Sequence, residues 1–224
     1  MARPTTIKPT APLVAPPTAP LVALPAAPPL TQAGRDLIYE FETGGRSGYN
    51  PRPEWPRGAS GVTVGIGYDC GYNSRQVIIA DWAALPNRQE ERLAATAGVT
   101  GRAAQSRLAE VRDIVVTWDL AGQVFDRVTV SKFWQLCERT YPGFDALHPN
   151  AQAAILSLTF NRGSSLVGER RKEMLAIKQL VPKQDYRRMA GQIRAMERVW
   201  RGTEIEHGMT RRREAEARLL ETAR

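Results

Sequence analysis

The sequence predicts an α+β fold: an opening helix, a small β-hairpin sheet, and then a mostly helical lobe. Three observations carry that expectation. Leu37, Ile38 and Phe41 recur at helical spacing behind Thr31, a residue type that caps helix N-termini. Val62, Val64, Ile66 and Tyr68 alternate within a stretch, 48–72, that is rich in Gly, Pro and Tyr. From Asn73 onward the apolar pattern keeps a helical period almost to the C-terminus.

The chain has 224 residues, 42% of them hydrophobic, which suits one domain with a real core and an appendage. The appendage is residues 1–30, where "TAPLVA" occurs at Thr10–Ala15 and again at Thr18–Ala23. Its proline and alanine content predicts an extended, polyproline-like arm, either a spacer or a tail with no specific role. The folded domain is expected over 31–224. Prolines at 9, 12, 16, 17, 20 and 25 break up any apolar stretch that could act as a signal-peptide core. No run approaches the ~20 apolar residues that a membrane span needs. The expectation is synthesis in the cytoplasm, with no integral membrane segment.

A formal charge of +8 points to an anionic partner: nucleic acid, a membrane surface or an acidic polymer. Nucleic acid is disfavoured, because no basic helix interleaved with aromatics and no DNA-binding motif is present. Cys70 and Cys137 are too few for a disulfide framework and fit no metal spacing. Free thiols, no metal and no cofactor are therefore expected.

Taken in order, "QAGRDLIYEFET" forms the opening helix behind Thr31. The alternating residues then form the hairpin region. Ser74 is placed to cap "RQVIIADWAAL", and Thr100 to cap "GRAAQSRLAEVRDIVV". Tyr186, Met189, Ile193, Met196 and Trp200 make a stripe at steps of three and four, which reads as core. Arg211, Arg212 and Arg213 read as a solvated or structural helix face with pairs such as Arg213 to Glu216, or as contacts to an anionic partner.

Chemistry rests on acids. At ~100° per residue, Glu40 falls opposite the Leu37–Ile38–Phe41 stripe and should be solvated, whereas Glu42 lies ~40° from Ile38 on the stripe's edge. Burial and the helix C-terminus would both favour a protonated Glu42, as a general acid requires. The alternative is an edge-of-core glutamate paired with an arginine. Thr63 and Asp69 would lie ~20 Å apart in a straight strand. If Gly65-Ile66-Gly67 is instead a turn, its glycines accepting positive φ, the two sit side by side and can hold one water. Read alone, the plainer account is favoured: Thr63 as a strand residue and Asp69 as a turn former.

Four segments, "LIYEFETGG", "TVGIGYD", "AILSLTFNRG" and "GMTRRREAEARLL", resemble in order the motifs of the phage-type lysozymes, the muramidases of glycoside hydrolase family twenty-four. They run from Leu37 to Leu220, and the likeness implies a lysozyme-like fold. It implies Glu42 as the acid and Thr63 as the hairpin threonine. The usual aspartate six residues before that threonine is absent, since Arg57 stands there. Asp69, six residues after it, matches the pesticin-like branch. The resemblance thus implies hydrolysis of the β-1,4 bond between N-acetylmuramic acid and N-acetylglucosamine in peptidoglycan. Glu42 would protonate the glycosidic oxygen while Asp69 and Thr63 hold or activate a water. Such a pair of carboxylates implies inversion. Asn161, Gly65 and Gly67 are the candidate sugar-contacting residues, although Asn161 and Gly163 could instead simply end their helix. The chain is expected to act as a monomer on bacterial cell wall, as a phage endolysin or a bacteriolytic toxin released by other machinery. The competing expectation is a peptidoglycan-binding or virion structural module that keeps the fold without turnover.

Overall fold

The computed structural model describes residues 28–223. Most of the expected arm, 1–27, lies outside the described residues. The fold is α+β: a mostly helical chain with one two-stranded antiparallel sheet.

Helix α1 spans Gln32–Thr43, and the Thr31 hydroxyl caps it by accepting the Gly34 N–H at 3.0 Å. Leu37 and Ile38 are buried and Phe41 is half-buried, so the apolar stripe faces the core as its spacing requires. Gly44, in the left-handed conformation with φ 69°, ends the helix just beyond Glu42.

The hairpin has the register that a Gly65-Ile66-Gly67 turn demands. Strand β1 (Thr63–Val64) pairs with β2 (Tyr68–Asp69), placing Thr63 opposite Asp69 and Val64 opposite Tyr68. Gly65 and Gly67 have φ of +62° and +67°. Val62, Val64, Ile66 and Tyr68 are all buried. Tyr68 anchors the hairpin to α2 (Arg75–Asp81): its ring meets Trp82 edge-on at 5.4 Å, and its hydroxyl donates to the buried Asp81 at 2.7 Å. As expected, Ser74 caps α2.

Short helices α3 (Gln89–Ala94) and α4 (Gly101–Arg107) follow. The long helix expected after Thr100 stops early. A 3₁₀ turn, Leu108–Glu110, ends α4, and Val111, Ile114 and Val116 are then buried in non-helical chain. Two forces override the periodicity there. The Val116 N–H donates to the Pro51 carbonyl at 2.8 Å, and Gly61 bridges to Thr100, so this segment closes around the glycine-rich excursion.

Helix α5 (Trp118–Val124) runs through a π-helical turn, Phe125–Val130, into α6 (Ser131–Thr140). The centre of the molecule is α7, Pro149–Arg162, buried on all sides from Ala151 to Thr159. It packs against α1, α6 and α10 (Glu206–Glu221). Helices α8 (Lys172–Leu180) and α9 (Tyr186–Ala195) complete the lobe. Met189, Ile193, Met196 and Trp200 are buried and Tyr186 is half-buried, so that stripe is core. Cys70 and Cys137 are buried free thiols. Among the described residues, no helix is long and apolar enough to cross a membrane.

Arg194 of α9 clamps α10, donating to Glu214 at 2.7 Å and Glu221 at 2.5 Å, while Arg218 donates to Glu214 at 2.8 Å. These donors, Arg194 first, hold the Glu214 carboxyl down at about 2.

A Cβ on Gly65 would lie 2.7 Å from Cη2 of Trp82, on backbone already at positive φ. Gly65→Ala should therefore destabilise by about 2 kcal/mol, lowering Tm by roughly 4–8 °C in thermal unfolding. Gly67→Ala meets open space and should cost about half as much. The depressed Glu214 carboxyl contributes stability that is present above its ordinary value of 4.5 and lost as pH falls towards about 2. Arg194→Ala should accordingly flatten the fall of Tm across that acid window.

Candidate active site

The last turn of α1 directs Glu42 towards α10, where Arg212 donates to Glu42 Oε1 at 2.6 Å. Glu42 is 25% exposed at its side chain and Arg212 7%. The sequence left two readings of Glu42 open, and the arginine-paired one is what the structure shows. Glu42 does not stand alone in a dry notch.

Arg212 is the hub of a buried polar network. Its Nη2 also donates to the Ser157 carbonyl at 2.7 Å, and its Nε to Glu216 at 3.1 Å. Glu216, fully buried, further accepts from the Ser157 hydroxyl at 2.8 Å and from Arg213 at 2.8 Å. Two guanidinium groups and two carboxylates thus balance one another, and of the four only Glu42 reaches solvent. Burial pushes Arg213 below the ordinary arginine value, and Glu216 opposes that shift. Of the three consecutive arginines only Arg211 is solvated; it pairs with Glu40 at 3.1 Å, and both are exposed. The expected Arg213–Glu216 pair is present, but it lies in the core rather than on a wet face.

Glu42 opens onto a groove of about 360 Å³, which lies between the end of α1 and the hairpin. Thr63, Gly65 and Gly67 line its other side, and Tyr49, Arg52 and Glu54 line the excursion between them. Tyr49 is fixed by donating to the Val116 carbonyl at 2.8 Å and by an edge-on contact with Trp118. Burial pushes its phenol up to about 12, so it remains a neutral donor. The chemical content of the groove is therefore an ion-paired carboxylate on a helix end, facing a hydroxyl and two glycines on a hairpin. A cleft of this size with a few convergent polar groups suits a small segment of a polar chain.

The other sequence candidates fare differently. Asp69 is paired with Thr63 in register, but it is not among the residues lining the groove. Its Oδ1 accepts the Gly61 N–H at 3.0 Å and the Gly71 N–H at 2.8 Å, and its Oδ2 shares the Gly61 N–H at 3.1 Å. A Cβ on Gly61 would lie 2.4 Å from Oδ1, so only glycine admits this clamp. The neighbouring Cys70 thiol is buried and held at about 12, which leaves it unreactive. Asn161 is exposed on the last turn of α7 and does not line the groove; Gly163, at φ 69°, ends that helix. Sequence reasoning missed Glu54, whose pairing with Thr63 depends on the path of a Pro- and Gly-rich excursion. It also missed Arg212 as the partner of Glu42, although the closing motif contained it. Among the described residues no group of three or more His, Cys, Asp or Glu could hold a metal ion.

The family model described as "Pesticin: Bacterial toxin homologue of phage lysozyme, C-term" matches residues 32–185. Among solved structures, the "Crystal structure of active form of P1 phage endolysin Lyz" is similar, with a TM-score of 0.50 and 20% sequence identity. The match covers 86% of this chain and 85% of that one. No curated protein matches.

Removing Arg212 would take from Glu42 its arginine partner and from the buried Glu216 one of its two. Arg212→Ala should cost about 3–5 kcal/mol in denaturant unfolding, whereas Arg211→Ala on the exposed face should change stability by no more than ~0.5 kcal/mol.

Proposed function

Because the chain belongs to the pesticin family of bacterial toxin homologues of phage lysozyme, we propose that it is a peptidoglycan hydrolase of the lysozyme type. Its bond would be the β-1,4 link between N-acetylmuramic acid and N-acetylglucosamine. The observation that carries this reading is that Glu42 and Thr63, on separate elements, line one groove while Arg212 fixes the glutamate. The formal charge of +8 suits an anionic wall.

In this mechanism Glu42 is the general acid. Arg212 engages only Oε1, so Oε2 is the oxygen that would hand a proton to the departing glycosidic oxygen. On the far side of the sugar, the Thr63 edge of the hairpin would hold the attacking water. Asp69 would act through that edge, by clamping Gly61 and Gly71 and so fixing where Thr63 stands. Gly65 and Gly67, without side chains, would let a sugar ring approach the turn closely. Water attacking from the face opposite the acid inverts the anomeric carbon. We propose that the protein acts as a monomer on the wall, after delivery from the cytoplasm as an endolysin or a toxin.

One observation favours the non-catalytic alternative: the Asp69 carboxylate is already engaged by backbone donors. A wall-binding module and a hydrolase are separated by turbidity loss of a purified cell-wall suspension. The wild-type chain should clear it, and Glu42→Gln should lower the rate by roughly 10³-fold. Mass analysis should find reducing-end muramic acid on the fragments, and NMR of the first product should show inverted configuration. Equal clearing by Glu42→Gln would remove Glu42 from the chemistry.

A further inference from the structure

We propose that Glu54 is the general base of this site, the carboxylate that takes the proton from the attacking water. The proposal rests on the reading of the groove as a glycoside hydrolase site.

Two reciprocal backbone hydrogen bonds carry it. The Glu54 N–H donates to the Thr63 carbonyl at 2.9 Å and the Thr63 N–H to the Glu54 carbonyl at 2.8 Å. The two residues are thus a directly opposed antiparallel pair, whose Cα atoms lie about 5.5 Å apart and whose side chains emerge on one face. Thr63 therefore has an acid on each flank, Asp69 on the hairpin partner and Glu54 on the excursion. Only Glu54 lines the groove that contains Glu42. Asp69 is turned onto the Gly61 and Gly71 amides, which occupy both of its oxygens.

Glu54 is also held in place. Asn50 donates to its Oε2 at 2.9 Å, and the Asn50 side-chain oxygen is itself fixed by the Arg52 N–H at 3.0 Å. Oε1 remains available for a water.

Water loses one proton to Glu54 Oε1, and its oxygen forms the new bond to the anomeric carbon. The glycosidic C–O bond breaks, its electron pair staying on the departing oxygen, which takes the proton from Glu42. One water is consumed, and exchange with solvent returns a proton from Glu54 to Glu42.

The test compares Glu54→Gln, Glu54→Ala and Asp69→Asn in the full chain on soluble peptidoglycan fragments. Because Glu54 is exposed and Gln keeps an acceptor for Asn50, Glu54→Gln should fold with an unchanged Tm. Its kcat should fall about 10²–10³-fold, with KM within about twofold. Azide, which needs no base, should restore turnover to Glu54→Ala and yield a glycosyl azide of inverted configuration, found by mass and NMR. Asp69→Asn should lower Tm and show no azide rescue. Glu54→Gln with full kcat, a change confined to KM, or azide rescue at Asp69 in place of Glu54 would each overturn the proposal. Failure of the wild-type chain to cleave at all would instead overturn the hydrolase reading beneath it.

Discussion

The ion pair between the partly exposed Glu42 and the buried Arg212 is the constraint on which the molecule depends. It joins the last turn of the first helix to the middle of the last one. Arg212 is almost wholly removed from water, so its charge must be met by Glu42 and Glu216 together, and the Nη2 that reaches Glu42 also donates to the Ser157 carbonyl. Ser157 belongs to α7, the helix around which the others pack. The carboxylate assigned the chemistry is therefore part of the same network that closes the core. Orientation is obtained without a dedicated scaffold, since any rotation of Glu42 would leave a buried cation short of its partner.

The opposing wall of the groove is built by backbone rather than by side-chain charge. Positive φ at Gly65 and Gly67 folds the hairpin, Tyr68 pins it to Asp81 and Trp82, and Asp69 clips it to Gly61 and Gly71. Each device is short-range and stiff. The result is a Thr63 held at a fixed height over the groove, with Glu54 paired to it along the neighbouring strand-like segment. The two sides of the groove thus differ in kind: a charge network fixes Glu42, and a turn geometry fixes Thr63.

The early end of α4 and the exposed position of Asn161 share a cause. Residues 108–116 have a helical apolar period, yet Val116 is claimed by Pro51 and the chain unwinds to reach it. Asn161 sits two residues past Thr159, the last buried residue of α7, but the helix ends one residue later and the side chain is left in solvent. In each case the local pattern is real, and a partner more than fifty residues away in sequence, or the lack of one, decides the outcome.

What the sequence determined alone is what short-range physics controls. Helical spacing at Leu37, Ile38 and Phe41, the Thr31 cap, the Gly-Ile-Gly turn and its Thr63–Asp69 register, and the Met189 to Trp200 stripe are set by neighbours within a few residues. Their geometry follows from backbone sterics and burial periodicity. Only the tertiary structure decided that Glu42 meets Arg212, 170 positions away, that Asp69 clips backbone rather than facing the groove, and that Glu54 lines it. Those outcomes depend on which side chain a folded neighbour presents, and on the high cost of leaving a buried charge unmatched. No local pattern encodes either.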